Sequence, residues 1–140
     1  MIFESSVTID APPARVWEVF SDVEAWPSWT STVSTVERLD SGPLKVGSKT
    51  RIKQPRLPAA VWEVTEYVPG SHFVWEARSP GVRTIGGHYV STSGSGSVAV
   101  SRIEQRGPFG WLAGLVTRGL TNRYLALEGA GLKARSEASS

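Results

Sequence analysis

Two runs joined by a turn decide the fold: His72-Phe73-Val74-Trp75-Glu76-Ala77-Arg78, then Ser79-Pro80-Gly81, then Val82-Arg83-Thr84-Ile85-Gly86-Gly87-His88-Tyr89-Val90. In the first run Phe73, Trp75 and Ala77 alternate with Glu76 and Arg78. Beyond the turn Thr84, Gly86, His88 and Val90 share one parity and Arg83 takes the other. Successive strand residues point to opposite faces, so the pair predicts a sheet with one apolar face and one charged, solvated face. The apolar face is unusual in mixing Trp and Phe with Thr, Gly and His.

The same division extends outward from this pair. Upstream, Thr50, Ile52, Gln54, Trp62 and Val64 join the apolar set, opposite Lys49, Arg51, Lys53, Glu63 and Thr65. Downstream, Val98 and Val100 are assigned inward, and Ser97 and Ser101 outward. Strands are predicted over 3–9, 33–39, 48–54, 60–67, 72–78, 82–91 and 97–105. Turn chemistry separates them, as in Asp40-Ser41-Gly42-Pro43 and Pro69-Gly70-Ser71, which implies an antiparallel meander.

Helices flank the strands. Asp10-Ala11-Pro12-Pro13 stops the first strand and opens a short helix whose buried stripe is Val16, Trp17, Val19 and Phe20. A second helical turn over 23–29 holds Trp26-Pro27-Ser28-Trp29. After Gly107-Pro108, Leu112, Leu115, Val116, Leu120, Tyr124, Leu127 and Leu132 recur at helical steps to about residue 135. Several glycines interrupt this period, and they suit a helix that kinks or lies close to the sheet. The expected class is α+β: a seven-stranded antiparallel sheet, two short helices between its first and second strands, and one long C-terminal helix. A single domain is expected over 1–135, with a polar tail at 136–140.

Bulk properties remove several function classes. A chain of 140 residues with no Cys has no disulfide, thiolate metal site or Cys nucleophile. Two His give no metal-ligand cluster, so no metal and no cofactor is expected. Charges of both signs are mixed to a net +2, which excludes a nucleic-acid footprint. The lack of Cys fits a cytoplasmic protein, no signal peptide is read at the N-terminus, and the lack of a long apolar span predicts no membrane insertion. Six Trp form the compositional outlier.

A sheet face of this mixed character, opposite one long helix, can enclose a pocket for a small hydrophobic molecule. The candidate ligand-binding residues on the sheet are Thr50, Ile52, Trp62, Val64, Phe73, Trp75, Thr84, His88 and Val90; on the helix they are Trp111, Leu115 and Asn122. Trp29 is a candidate to close one end, with its indole N–H meeting a polar ligand atom. His88 is the candidate catalytic residue, a hydrogen-bond donor or general base near neutral pH; its alternative is a satisfied core histidine.

The order and spacing of several short motifs carry a family resemblance. They are Val7-Thr8-Ile9-Asp10-Ala11-Pro12 with Val16-Trp17, Trp26-Pro27-Ser28-Trp29, Val46-Gly47-Ser48, Trp62-Glu63-Val64, Pro69-Gly70, Phe73-Val74-Trp75, Gly87-His88 and Leu127-Glu128-Gly129-Ala130-Gly131-Leu132-Lys133. With these the whole chain resembles the START-like (Bet v 1-like, SRPBCC) helix-grip superfamily, in its polyketide cyclase/dehydrase and lipid-transport-like branch. The resemblance implies a cavity between the sheet and the last helix, and a role in binding a lipid, quinone or polyketide-like molecule. The alternative is a polyketide cyclase, aromatase or dehydratase with His88 as proton shuttle. A protein-interaction module of the same fold is a third class, disfavoured by the charged outer face. A monomer and a homodimer both remain open.

Overall fold

The computed structural model describes residues 1–138. Seven strands, β1 (Ile2–Ile9), β2 (Thr35–Arg38), β3 (Lys49–Lys53), β4 (Ala60–Val68), β5 (His72–Ser79), β6 (Val82–Ser93) and β7 (Gly96–Arg106), form one antiparallel sheet ordered β1-β7-β6-β5-β4-β3-β2. Helix α1 (Pro13–Ser21) and a 3-10 turn (Val23–Ser28) lie between β1 and β2, and α2 (Gly110–Glu137) closes the chain. Pro13 takes the first helical position, where its missing N–H costs nothing. The expected architecture holds in element order and class.

The outer face carries the charges, in cross-strand pairs such as Arg51–Glu37 at 2.7 Å and Arg83–Glu76 at 3.4 Å. Both lie on the solvent side of the sheet and are worth about 0.2–1 kcal/mol each. Register confirms the inward set on β3, β5 and β6, where Phe73 faces His88 and Ala77 faces Thr84. A bulge between Val64 and Glu66 shifts the β4–β5 register, and Tyr67 then pairs with Phe73 on the inner side.

Strand β7 reverses the expected parity. Ser97, Ala99, Ser101 and Gln105 are the buried residues, and Val98 and Val100 are the less buried ones. Pairing of His88 with Ser101 and Val90 with Ala99 fixes this register. Both helices pack against β7, and α2 also packs against β1. Over Ser97, Ala99 and Ser101 helices seated this closely leave room only for small inward side chains. Ser97 also donates to the Ala11 carbonyl at 2.6 Å. At Gly131 a Cβ would lie 2.2 Å from the Trp29 carbonyl oxygen, so only glycine permits that approach.

Helix α2 continues two residues past its expected end. Ser136 is buried, and the Glu137 carboxylate accepts the Asp10 backbone N–H at 2.7 Å and a Lys133 ammonium hydrogen bond at 2.5 Å. These contacts hold the last turn to the end of β1. Ser139 and Ser140 of the expected tail lie outside the described residues.

Candidate functional site

The inner face of the sheet divides into a filled end and an open end. At the filled end α1 and the 3-10 turn drive Phe20 and Trp26 against Phe73, Trp75 and His88. The His88 ring stacks on Phe73 at 4.2 Å with an interplanar angle of 14°, and Phe20 meets its edge at 5.2 Å. His88 Nδ1 donates to the Phe73 carbonyl at 3.2 Å. Burial lowers the imidazole to about 4, with the Phe73 carbonyl pulling modestly the other way. It is therefore a neutral core histidine inside an aromatic cluster.

At the open end the sheet and α2 from Ala113 to Glu128 stand apart around a cavity of about 520 Å³. Its apolar walls include Ile52, Trp62, Ile103 and Leu120. The polar groups form a seam where β7 meets α2. Gln105 Nε2 donates to Thr117 Oγ1 at 3.4 Å, and Thr117 in turn donates to the Ala113 carbonyl at 2.7 Å. Thr121 donates to Thr117 at 3.5 Å, and the Tyr124 hydroxyl donates to the Pro55 carbonyl. Gln105 Oε1 is buried without a partner.

Glu128 completes the lining and is the one carboxylate in it among the described residues. Its Oε1 accepts a hydrogen bond from Thr32 Oγ1 at 3.0 Å, and the Thr32 and Thr30 hydroxyls are 2.9 Å apart. Both threonines are buried. Burial pushes the Glu128 carboxyl up to about 7, and the Thr32 hydrogen bond offsets only part of that. A carboxylic acid that exchanges its proton near neutral pH thus borders an apolar cavity.

Of the sequence-derived ligand candidates, Ile52, Trp62 and Thr84 line this cavity. Thr50, Val64, Phe73, Trp75, His88 and Val90 have the expected inward parity but are buried away from it, in or beside the packed end. Trp29 sits against α2 at Gly131, outside the cavity lining, and its indole N–H is buried without a partner. Trp111, Leu115 and Asn122 lie on the opposite side of α2, exposed. Apolar residues of α2 are spread around its circumference among polar ones with little asymmetry, so periodicity left its inward face undetermined. Gly110 and Gly114 settle it, because added Cβ atoms there would lie 2.8 Å from the Gln105 carbonyl and amide oxygens.

Sequence reasoning missed Glu128, Gln105 and the two threonines. One signal was present: Ala113, Thr117, Thr121 and Glu128 follow one another at steps of four, four and seven, which lie on one helical face. Among the described residues, no three His, Asp or Glu side chains converge as metal ligands, and no helix is long and apolar enough to cross a membrane.

Comparison with known proteins gives three results. The family model described as polyketide cyclase/dehydrase and lipid transport matches residues 1–137. No curated protein sequence matches the chain. Solved structures match over nearly the full length of this chain. The TTHA0849 protein of Thermus thermophilus is 17% identical with a TM-score of 0.77, covering 97% of each chain. The hypothetical protein jhp0584 of Helicobacter pylori is 14% identical with a TM-score of 0.81, covering 98% of this chain and 88% of that one. The Zhui aromatase/cyclase from Streptomyces sp. R1128 is 18% identical with a TM-score of 0.75, covering 98% and 93%. At such identities the likeness is one of fold.

Proposed function

The chain belongs to the polyketide cyclase/dehydrase and lipid transport family, and on that premise we propose that it binds one small, mostly apolar molecule between the sheet and α2. The observation that carries this reading is the cavity of about 520 Å³, within the size range of small-molecule sites. Apolar walls supply the transfer free energy, roughly 25 cal/mol per Å² of apolar surface buried. The seam of Gln105, Thr117, Thr121 and Glu128 supplies direction, since a ligand must meet those groups with hydrogen-bonding atoms of its own. A lipid, quinone or polyketide-like compound has that mixture. Native mass spectrometry of the purified protein, with organic extraction of whatever it carries, tests the reading. A bound apolar compound displaced by Thr117→Leu supports it. A clean apo mass, with no quenching of Trp62 by any lipid, quinone or aromatic polyketone titrated, overturns it.

Glu128 supports a second reading, an enzyme of the cyclase or dehydratase type. A carboxyl poised near pH 7 beside a bound polyketone can take a proton from an acidic carbon and return it to a leaving hydroxyl. In this reading the proton shuttle is Glu128, and His88 has no part in it. Glu128→Gln should abolish turnover of a polyketone while ligand binding persists, and His88→Phe should leave turnover in place. Full activity of Glu128→Gln would remove the enzymatic reading and leave the binding one standing.

A further inference from the structure

The outer face of α2 has no role in the cavity. Trp111, Leu112, Leu115 and Val116 are 61%, 42%, 52% and 76% exposed. At about 100° per residue all four fall within one side of the helix. Phe109, 58% exposed, extends the patch over the turn between β5 and β6, where its ring meets Gly81. Isolated exposed apolar residues are ordinary, but five large ones side by side mark an interaction surface.

Along the chain through this patch the unpaired charges have one sign. From Gln105 to Leu127 there is no Asp or Glu, and of the three arginines Arg106 pairs with Glu104 while Arg118 and Arg123 pair with none of the described residues. Arg118 and Arg123 are exposed in the turns that follow the apolar patch. Arg123 meets Arg56 across a cleft of about 170 Å³ whose other walls are Ser31, Pro55, Leu120, Tyr124 and Leu127, with no carboxylate among them. Among the described residues none of Arg56, Arg118 and Arg123 is in an ion pair.

We propose that this face docks on an anionic lipid bilayer. The first turns of α2 lie in the plane of the headgroups, with Trp111 and its apolar neighbours in the interface and Arg118, Arg123 and Arg56 against lipid phosphates. The protein rests on the membrane without crossing it. A second copy is a poorer occupant, because a two-fold pairing of this face would set arginines against arginines. The opposite side of the same turns, Ala113, Thr117 and Leu120, lines the cavity, so docking sets that wall beside the bilayer. The inference stands on the outer face alone, whatever the cavity takes.

Flotation with two vesicle types tests it: equimolar phosphatidylcholine and phosphatidylglycerol, and phosphatidylcholine alone. The wild type should float with the anionic vesicles, less with the neutral ones, and less at high salt. Removing both charges in Arg118→Gln/Arg123→Gln should weaken partitioning about 25-fold, at roughly fivefold per arginine near the surface. Leu115→Asp/Val116→Asp should abolish it with the circular dichroism spectrum unchanged, since both side chains are exposed. Failure to float with anionic vesicles would overturn the proposal, as would wild-type partitioning by both variants. A dimer in light scattering that Leu115→Asp/Val116→Asp dissociates would assign the face to a second copy and overturn it equally.

Discussion

Replacing Glu128 by Gln removes the charge and keeps a carbonyl oxygen able to accept the Thr32 hydroxyl hydrogen bond now made at 3.0 Å. The effect on stability depends on pH in a direction the site dictates. Burial raises the folded-state value from 4.5 to about 7, so between those values the folded protein holds a proton that the unfolded chain releases. Stability from this group is fully present below about 4.5 and is lost as pH rises through 7. Each pH unit of displacement is worth about 1.4 kcal/mol, which sets a ceiling of about 3 kcal/mol. The side chain keeps some exposure toward the cavity, and water there brings the expected figure to about 2 kcal/mol. Glu128→Gln should therefore gain about 2 kcal/mol over wild type between about pH 4.5 and 8, a rise of roughly 6–8 °C in relative Tm for a domain of this size. Urea denaturation of both proteins across that range, with unchanged m-values, measures the difference. A wild-type-minus-variant difference that stays flat with pH would show that the carboxyl is hydrated, and the argument from burial would fail.

Four further outcomes follow from His88, its balance with Glu128, and two glycines of α2. His88 has the opposite linkage: its folded value lies at about 4 against an ordinary 6.5, so its stabilising contribution is present above 6.5 and lost as pH falls through 4. His88→Phe should remove a loss of up to about 3 kcal/mol over that range, visible in acid denaturation. Between about pH 4.5 and 6.5 the two groups act in opposite senses, so the wild-type stability curve should be flatter there than that of either single variant. Gly119→Ala, where an added Cβ meets nothing within 4 Å, should stabilise by about 0.5–1 kcal/mol through helix propensity. Gly131→Ala, 2.2 Å from a backbone oxygen, should instead destabilise by about 1–3 kcal/mol in thermal melts.

One aromatic contact links the open end of the sheet to the packed end. Trp62 and Trp75 meet at 5.7 Å across the boundary between cavity and core. A ligand against Trp62 therefore reaches the aromatic cluster around His88 through a single ring contact. That contact makes tryptophan emission a direct reporter of occupancy.

The sequence alone determined the strands, their order of appearance, the antiparallel class and most of the inner face. Those properties are local: alternation has a period of two, and Ser79-Pro80-Gly81 or Pro69-Gly70-Ser71 reverses the chain wherever it occurs. It misjudged β7 because Val98 and Val100 are more apolar than Ser97 and Ser101, so the usual burial signal pointed outward. Inward parity also did not make His88, Phe73 or Trp75 part of the cavity. Tertiary structure decided that by seating Phe20 and Trp26, from elements more than forty residues away, over one end of the sheet only. The same packing chose the inward side of α2 through the close approaches at Gly110, Gly114 and Gly131, and so left Trp111 and Leu115 outside and brought Glu128 in. Period and turn chemistry fix which way a side chain points, but where a helix comes to rest along a sheet depends on the summed volumes of remote side chains.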